Sequence, residues 1–107
     1  MLMVEPVEVL RPPRTTNAYT SRPDWDQAVK VWSGLAAVQP DKAFESFSPA
    51  RDQSTERLTA YLPFFAVVSS TDGLKVRGHL YEIDGEPKVW AATSRRHLTV
   101  SIWRAVR

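Results

Sequence analysis

The last stretch of the chain alternates strictly. From His97 to Val106, Leu98, Val100 and Ile102 take every second position, and Thr99, Ser101 and Trp103 stand between them. A period of two places the first set on one face of an extended strand and the second on the other, which is the pattern of a half-buried strand and not of a helix. The same signature returns at Thr55 to Phe65, where Leu58, Ala60 and Leu62 alternate with Arg57, Thr59 and Tyr61. No other run is both long enough and apolar at 3.6-residue spacing to demand a helix, so the core must be built from strands.

The rest of the chain reads as further short strands separated by turn and breaker signals. Leu2 to Leu10 interleaves Val4, Val7, Val9 and Leu10 with Glu5 and Glu8 and ends in Arg11-Pro12-Pro13, prolines that cannot donate to a ladder. Residues 11–24 are polar and aperiodic, a loop or extended arm. Trp25 to Trp32 fits a short helix or a strand, and the alternation at Val29, Lys30 and Val31 favours the strand. Gly34 to Gln39 reads as another strand stopped by Pro40-Asp41, so the two make a hairpin or one long bent strand. Residues 41–54 carry Lys42, Phe44, Phe47 and Arg51 among serines. Connections in small domains have a median of roughly 4 to 6 residues, so this loop is the best candidate for a working part. Asp72-Gly73 predicts a tight turn into Leu74 and Val76. His79 to Ile83 and Lys88 to Ala92, around Asp84-Gly85-Glu86-Pro87, read as a hairpin containing Tyr81, Asp84, Gly85, Pro87 and Trp90. The expectation is one all-β domain over residues 1–107: a small antiparallel β-barrel with long loops and at most one short helix.

Composition excludes several classes of protein. There is no cysteine, hence no disulfide framework and no thiolate metal site, which suits a reducing cytoplasm. The opening MLMVEPVEVLRPP has neither a basic leader nor a long apolar core, so a signal peptide is not expected. No stretch approaches the roughly 20 apolar residues that span a bilayer. The formal net charge of +2 is too small to argue nucleic-acid binding. From Lys75 onward, however, Lys75, Arg77, Lys88, Arg95, Arg96, Arg104 and Arg107 outnumber Glu82, Asp84 and Glu86, a basic final third whose plainest reading is a solvated strand face.

Signals for chemistry are sparse. His79 and His97 are the only histidines and lack neighbours at ligand spacing, so neither a metal nor a cofactor is expected. There is no nucleophile elbow, and the four glycines form no phosphate-cradling loop. Glu82, Asp84 and Glu86 read as a solvated tip rather than a catalytic pair, and no enzyme is expected. The four tryptophans, Trp25, Trp32, Trp90 and Trp103, could stack on bases, anchor a protein interface or fill the core. Trp103 is out of phase with Leu98, Val100 and Ile102, which places it on a contact surface.

The segment from Arg77 to Arg107 resembles the end of head-to-tail stopper proteins of siphophages. That family has a Y-E-[VI]-D-G-x-P motif, a following Trp, an Arg/His cluster and a final alternating strand. Here Tyr81, Glu82, Ile83, Asp84, Gly85, Pro87, Trp90, Ser94, Arg95, Arg96, His97 and the strand to Val106 match them. The opening VEVLRPP and the strand from Trp32 through Gly34 to Pro40 are also similar. The Ala91-Ala92-Thr93 that follows Trp90 departs from the family, where a proline is frequent.

The resemblance implies a barrel that assembles as a ring, a hexamer, between the portal-bound adaptor and the tail terminator or tail tube. The ring would close the filled capsid and line the double-stranded DNA channel, in the virion neck, after assembly in the host cytoplasm. In related stoppers one long loop per subunit enters the channel; the matching loop here carries Lys42, Phe44, Phe47 and Arg51. Ring contacts would use the arm and exposed aromatics: Tyr19, Arg22, Trp25 and Trp103. The alternatives are a tail terminator or other joining component and, from another class, a single-stranded nucleic-acid-binding β-barrel.

Overall fold

The computed structural model describes residues 2–16, 21–40, 54–91 and 96–106. Its strands are β1 (Glu5–Arg11), β2 (Arg14–Thr16), β3 (Ser21–Pro23), β4 (Val29–Pro40), β5 (Ser54–Pro63), β6 (Gly73–Val76), β7 (His79–Ile83), β8 (Lys88–Trp90) and β9 (His97–Val106). The order β5-β4-β1-β6-β7-β9 returns to β5 along the whole length of β9, closing a six-stranded antiparallel barrel. Closure follows from the alternation. A sheet with one apolar face buries it by curling on itself, and it loses its edges in doing so.

The core consists of the residues that alternation selects. Val7 and Val9 of β1, Ala36 of β4, Leu58, Ala60 and Leu62 of β5, Leu74 and Val76 of β6, Tyr81 of β7, and Leu98, Val100 and Ile102 of β9 form one buried cluster. The facing strands are in matched phase, with Leu58 opposite Ile102, Ala60 opposite Val100 and Leu62 opposite Leu98. A one-residue slip would turn every one of these side chains outward.

β4 is one long bent strand. Its register against β1 jumps between Val9, opposite Trp32, and Leu10, opposite Lys30, so Val31 is an extra residue that bends the strand. A 3-10 turn at Trp25–Gln27 precedes it, capped by the Asp24 carboxylate accepting from the Asp26 amide. The sequence favoured a strand from Trp25; three residues of it turn instead, because Asp24 supplies an N-cap and the turn seats the Trp25 ring on Gly73. β1 begins three residues later than expected and leaves Leu2 and Val4 in solvent. Part of the arm is a two-stranded ribbon of β2 and β3, tied shut by the Asp24 amide on the Pro13 carbonyl.

The hairpin expected at Tyr81–Trp90 does not form. β7 and β8 do not pair with each other; they lie in line along the same edge of β9, with Ile83 opposite Ile102 and Lys88 opposite Thr99. Asp84 to Pro87 are therefore a wide bulge in one interrupted strand, anchored by the Asp84 amide on the Ser101 carbonyl. Gly85 supplies the left-handed backbone that the bulge requires, at φ 85°. Asp84-Gly85 has the chemistry of a hairpin turn, but β9 offers a longer partner than β8 could. The true hairpin is β6–β7, where Arg77 (φ 52°) and Gly78 (φ 81°) make a two-residue type I′ turn.

These connections divide between the two ends of the barrel. One end holds the start of β1, the Arg77-Gly78 turn, the end of β9 and the start of β5. The other holds the end of β1, the connection from β5 to β6, the end of β8 and the start of β9.

Candidate assembly interface

At the first end, alternation extends the inward face of the barrel beyond the apolar core into charge. Glu56 is two residues before Leu58 and Arg104 two after Ile102, so both share the core face and stand directly opposite each other. The buried Tyr81 donates its hydroxyl to Glu56 Oε1, Arg104 Nε reaches the same oxygen at 3.1 Å, and the guanidinium lies 5.7 Å from the Tyr81 ring centre. The hydroxyl bond and the cation hold the Glu56 carboxyl below its ordinary pKa, against the opposing effect of burial. Burial, then the bond to Glu56, pushes the Tyr81 hydroxyl up. This is a satisfied polar lid on the core.

Among the described residues, the opposite end exposes several large apolar side chains beside Arg11, Thr71 and Arg96. β5 stops at Pro63, and a turn closed by the Ala66 amide on the Pro63 carbonyl puts Phe64 and Phe65 at its two tip positions. Turn tips ordinarily carry Gly, Asn, Asp or Pro. Here Phe65 is 76% exposed, and Ala66 and Val68 turn back onto the core. Pro63, His97 and Trp90 lie side by side on β5, β9 and β8. The Trp90 ring, 53% exposed, stacks on His97 at 6.2 Å, and Tyr61 meets the other side of the row at 5.9 Å. Arg96 sits over the Phe64 ring at 5.5 Å, and Val67 and Val89 are exposed as well, Val89 on the face of β8 opposite to Trp90. Apart from this end, a shallow open groove of about 570 Å³ runs outside β1 and β4, flanked by Lys30, Lys75 and Arg77.

No protein-family model matches the chain, and no curated protein matches it.

Among the described residues, those singled out from the sequence are distributed over the barrel rather than gathered. Tyr19, Lys42, Phe44, Phe47 and Arg51 lie outside the described residues. Arg22 is exposed on β3. The Trp25 ring is seated on its own barrel, so close to Gly73 that an added Cβ would lie 2.8 Å from the ring. Trp103 faces outward, as its phase requires, but is half-buried, opposite Arg57 and Glu82. Tyr81 is a core residue, Asp84 pairs with Arg57 at 2.6 Å, and Pro87 is half-buried. Of the expected residues that are described, Trp90 alone joins the exposed apolar end. Phe64, Phe65 and Val89 were missed, although Phe-Phe directly after Pro63 was a legible signal: two large apolar side chains where a strand has to end. Among the described residues no three His, Asp or Glu side chains gather as metal ligands, and no helix is long and apolar enough to cross a membrane.

Proposed function

We propose that the chain is a structural neck protein of a tailed phage, a head-to-tail stopper. It would form a ring between the portal-adaptor complex and the tail, closing the DNA-filled capsid and lining its exit channel. The observation that carries this reading is the apolar end. The barrel completes its core without Phe64, Phe65, Val67, Val89 and Trp90, and a lone domain gains nothing from leaving them in water. An assembling one does. The motif from Tyr81 to Trp90 supplies the kind of assembly. The resemblance assigns the channel loop to residues 41–54, with Lys42 and Arg51 as its cations. Each would offer DNA a phosphate contact that is salt-sensitive and blind to sequence, multiplied by the number of subunits.

The test is mass photometry of the purified chain, alone and with the portal and adaptor of the same phage. A discrete ring on the connector supports the reading. A second reading, a single-stranded nucleic-acid-binding barrel, draws on the row Trp90-His97-Tyr61 with Arg96 beside it. It is supported instead by a persistent monomer whose tryptophan fluorescence is quenched by single-stranded DNA at moderate salt.

A further inference from the structure

We infer that the outer edge of β8, together with the apolar surface around it, receives residues Leu2 to Val4 of a neighbouring copy. The inference rests on the ring-forming reading and names the contact. Three observations lead to it. β8 pairs with β9 on one side only and ends the sheet order, so among the described residues its other edge has backbone groups with no strand beside them. Val89 and Trp90 on that strand are more than half exposed. Leu2 and Val4, 79% and 69% exposed, are the mirror of this: apolar side chains on a segment that runs straight into β1.

The two elements cannot meet within one chain. Leu2 precedes β1 at the charged end, and β8 finishes at the apolar end. The seven residues of β1 alone span roughly 20 Å between them. Contact must therefore run from one copy to the next. Adding a strand to an open edge supplies main-chain hydrogen bonds, and alternate side chains seat in apolar surface beside it. Leu2 and Val4, two apart, have the spacing for that. Lys88 and Arg96 flank the acceptor, and the donor segment leads into Glu5, which Arg77 of its own chain holds, so the charges at the margin are opposite in sign. A contact of this kind joins unlike surfaces, and such contacts close into a ring when the rotation between copies permits it.

Two variants of the full chain test the inference: a broken donor, Leu2→Asp with Val4→Asp, and a broken acceptor, Val89→Asp with Trp90→Asp. Both sites lie outside the buried core, and unchanged circular dichroism and melting confirm folding. Native mass spectrometry is expected to find the parent chain as a closed oligomer and each variant alone as a monomer. An equimolar mixture of the two is expected to give one-to-one dimers, because one intact donor still finds one intact acceptor. If the parent chain assembles and the mixture stays monomeric, or either variant still assembles, the contact lies elsewhere and the ring reading survives. A parent chain that remains monomeric up to its solubility limit overturns both.

Discussion

Arg11 holds Asp72 with two parallel hydrogen bonds, Nε to Oδ1 at 2.8 Å and Nη2 to Oδ2 at 2.9 Å, across 61 residues of sequence. The Asp72 side chain is wholly buried, and its second oxygen also accepts from the Ser69 amide at 2.8 Å. The pair fastens the connection between β5 and β6 to the end of β1, beneath the apolar surface.

Asp72→Ala is expected to destabilise the fold by about 2 kcal/mol in urea unfolding, the scale of a lost charge-assisted bond and an orphaned amide. Arg11→Ala should be worse. The Arg11 side chain is 45% exposed and can be solvated once its partner is gone, whereas Asp72 would be left as a buried, unpaired charge. Equal effects of the two substitutions would show that the carboxylate is hydrated and that the connection is held by other contacts.

The Glu56–Tyr81 bond gives stability a defined pH window. The Glu56 carboxyl lies below its ordinary 4.5 in the folded state, so its contribution is complete above that value and fades as pH falls through the lower, folded one. The Tyr81 hydroxyl lies above its ordinary 10.0, so its contribution is complete below pH 10 and lost as pH rises through the higher, folded value. Tyr81→Phe should shrink the acid-side dependence of the unfolding free energy below pH 4.5. Glu56→Gln should abolish the part owed to this site. An unchanged acid limb in both would place the responsible carboxylates elsewhere.

Gly73→Ala should be more damaging than Gly34→Ala. At Gly34 the three atoms nearest a Cβ all belong to the Trp32 ring, the first at 2.6 Å, and a side chain can swing aside. At Gly73 it would meet the Trp25 ring at 2.8 Å and also the backbone oxygen of Tyr81 at 2.9 Å, which the sheet holds in place. We expect about 2 kcal/mol or more for Gly73→Ala and roughly 1 for Gly34→Ala, by thermal or chemical melting. The reverse order would contradict the packing.

Gly85→Ala separates the bulge from the hairpin by its exchange behaviour. Nothing lies within 4 Å of the added Cβ, so a loss of about 1 kcal/mol reflects the left-handed backbone alone. In native-state hydrogen exchange the Asp84 amide, bonded to the Ser101 carbonyl at 2.8 Å, should be protected while the Glu86 amide is not. Fast exchange at Asp84 would restore the hairpin.

Much of the barrel was legible because its strands are half-buried. Val7/Val9, Leu58/Ala60/Leu62 and Leu98/Val100/Ile102 each declare a face, and the closed cluster is made from those faces. The candidate site was hardly legible. Trp103 was read to the correct face, yet it is half-buried there, opposite Arg57 and Glu82. Trp25 had the composition of an interface anchor and found a glycine on its own barrel. Glu56 and Arg104 keep the core phase, but a charged residue in phase becomes a core lid only when its opposite number arrives, and that pairing joins positions 48 residues apart.

Local sequence determined the strand class, the inward faces and the stops at Pro12, Pro40 and Pro63, since period-two burial and the missing proline donor act over a few residues. Only the tertiary structure decided that Asp84-Gly85-Glu86-Pro87 would bulge rather than turn back, that β9 would zip onto β5 and close the barrel, and that Phe64, Phe65 and Trp90 would share one end. Each of these is a choice between partners distant in the chain. The choice is settled by which pairing buries the most apolar surface and satisfies the most backbone bonds at once, a sum over the whole molecule that no short segment contains.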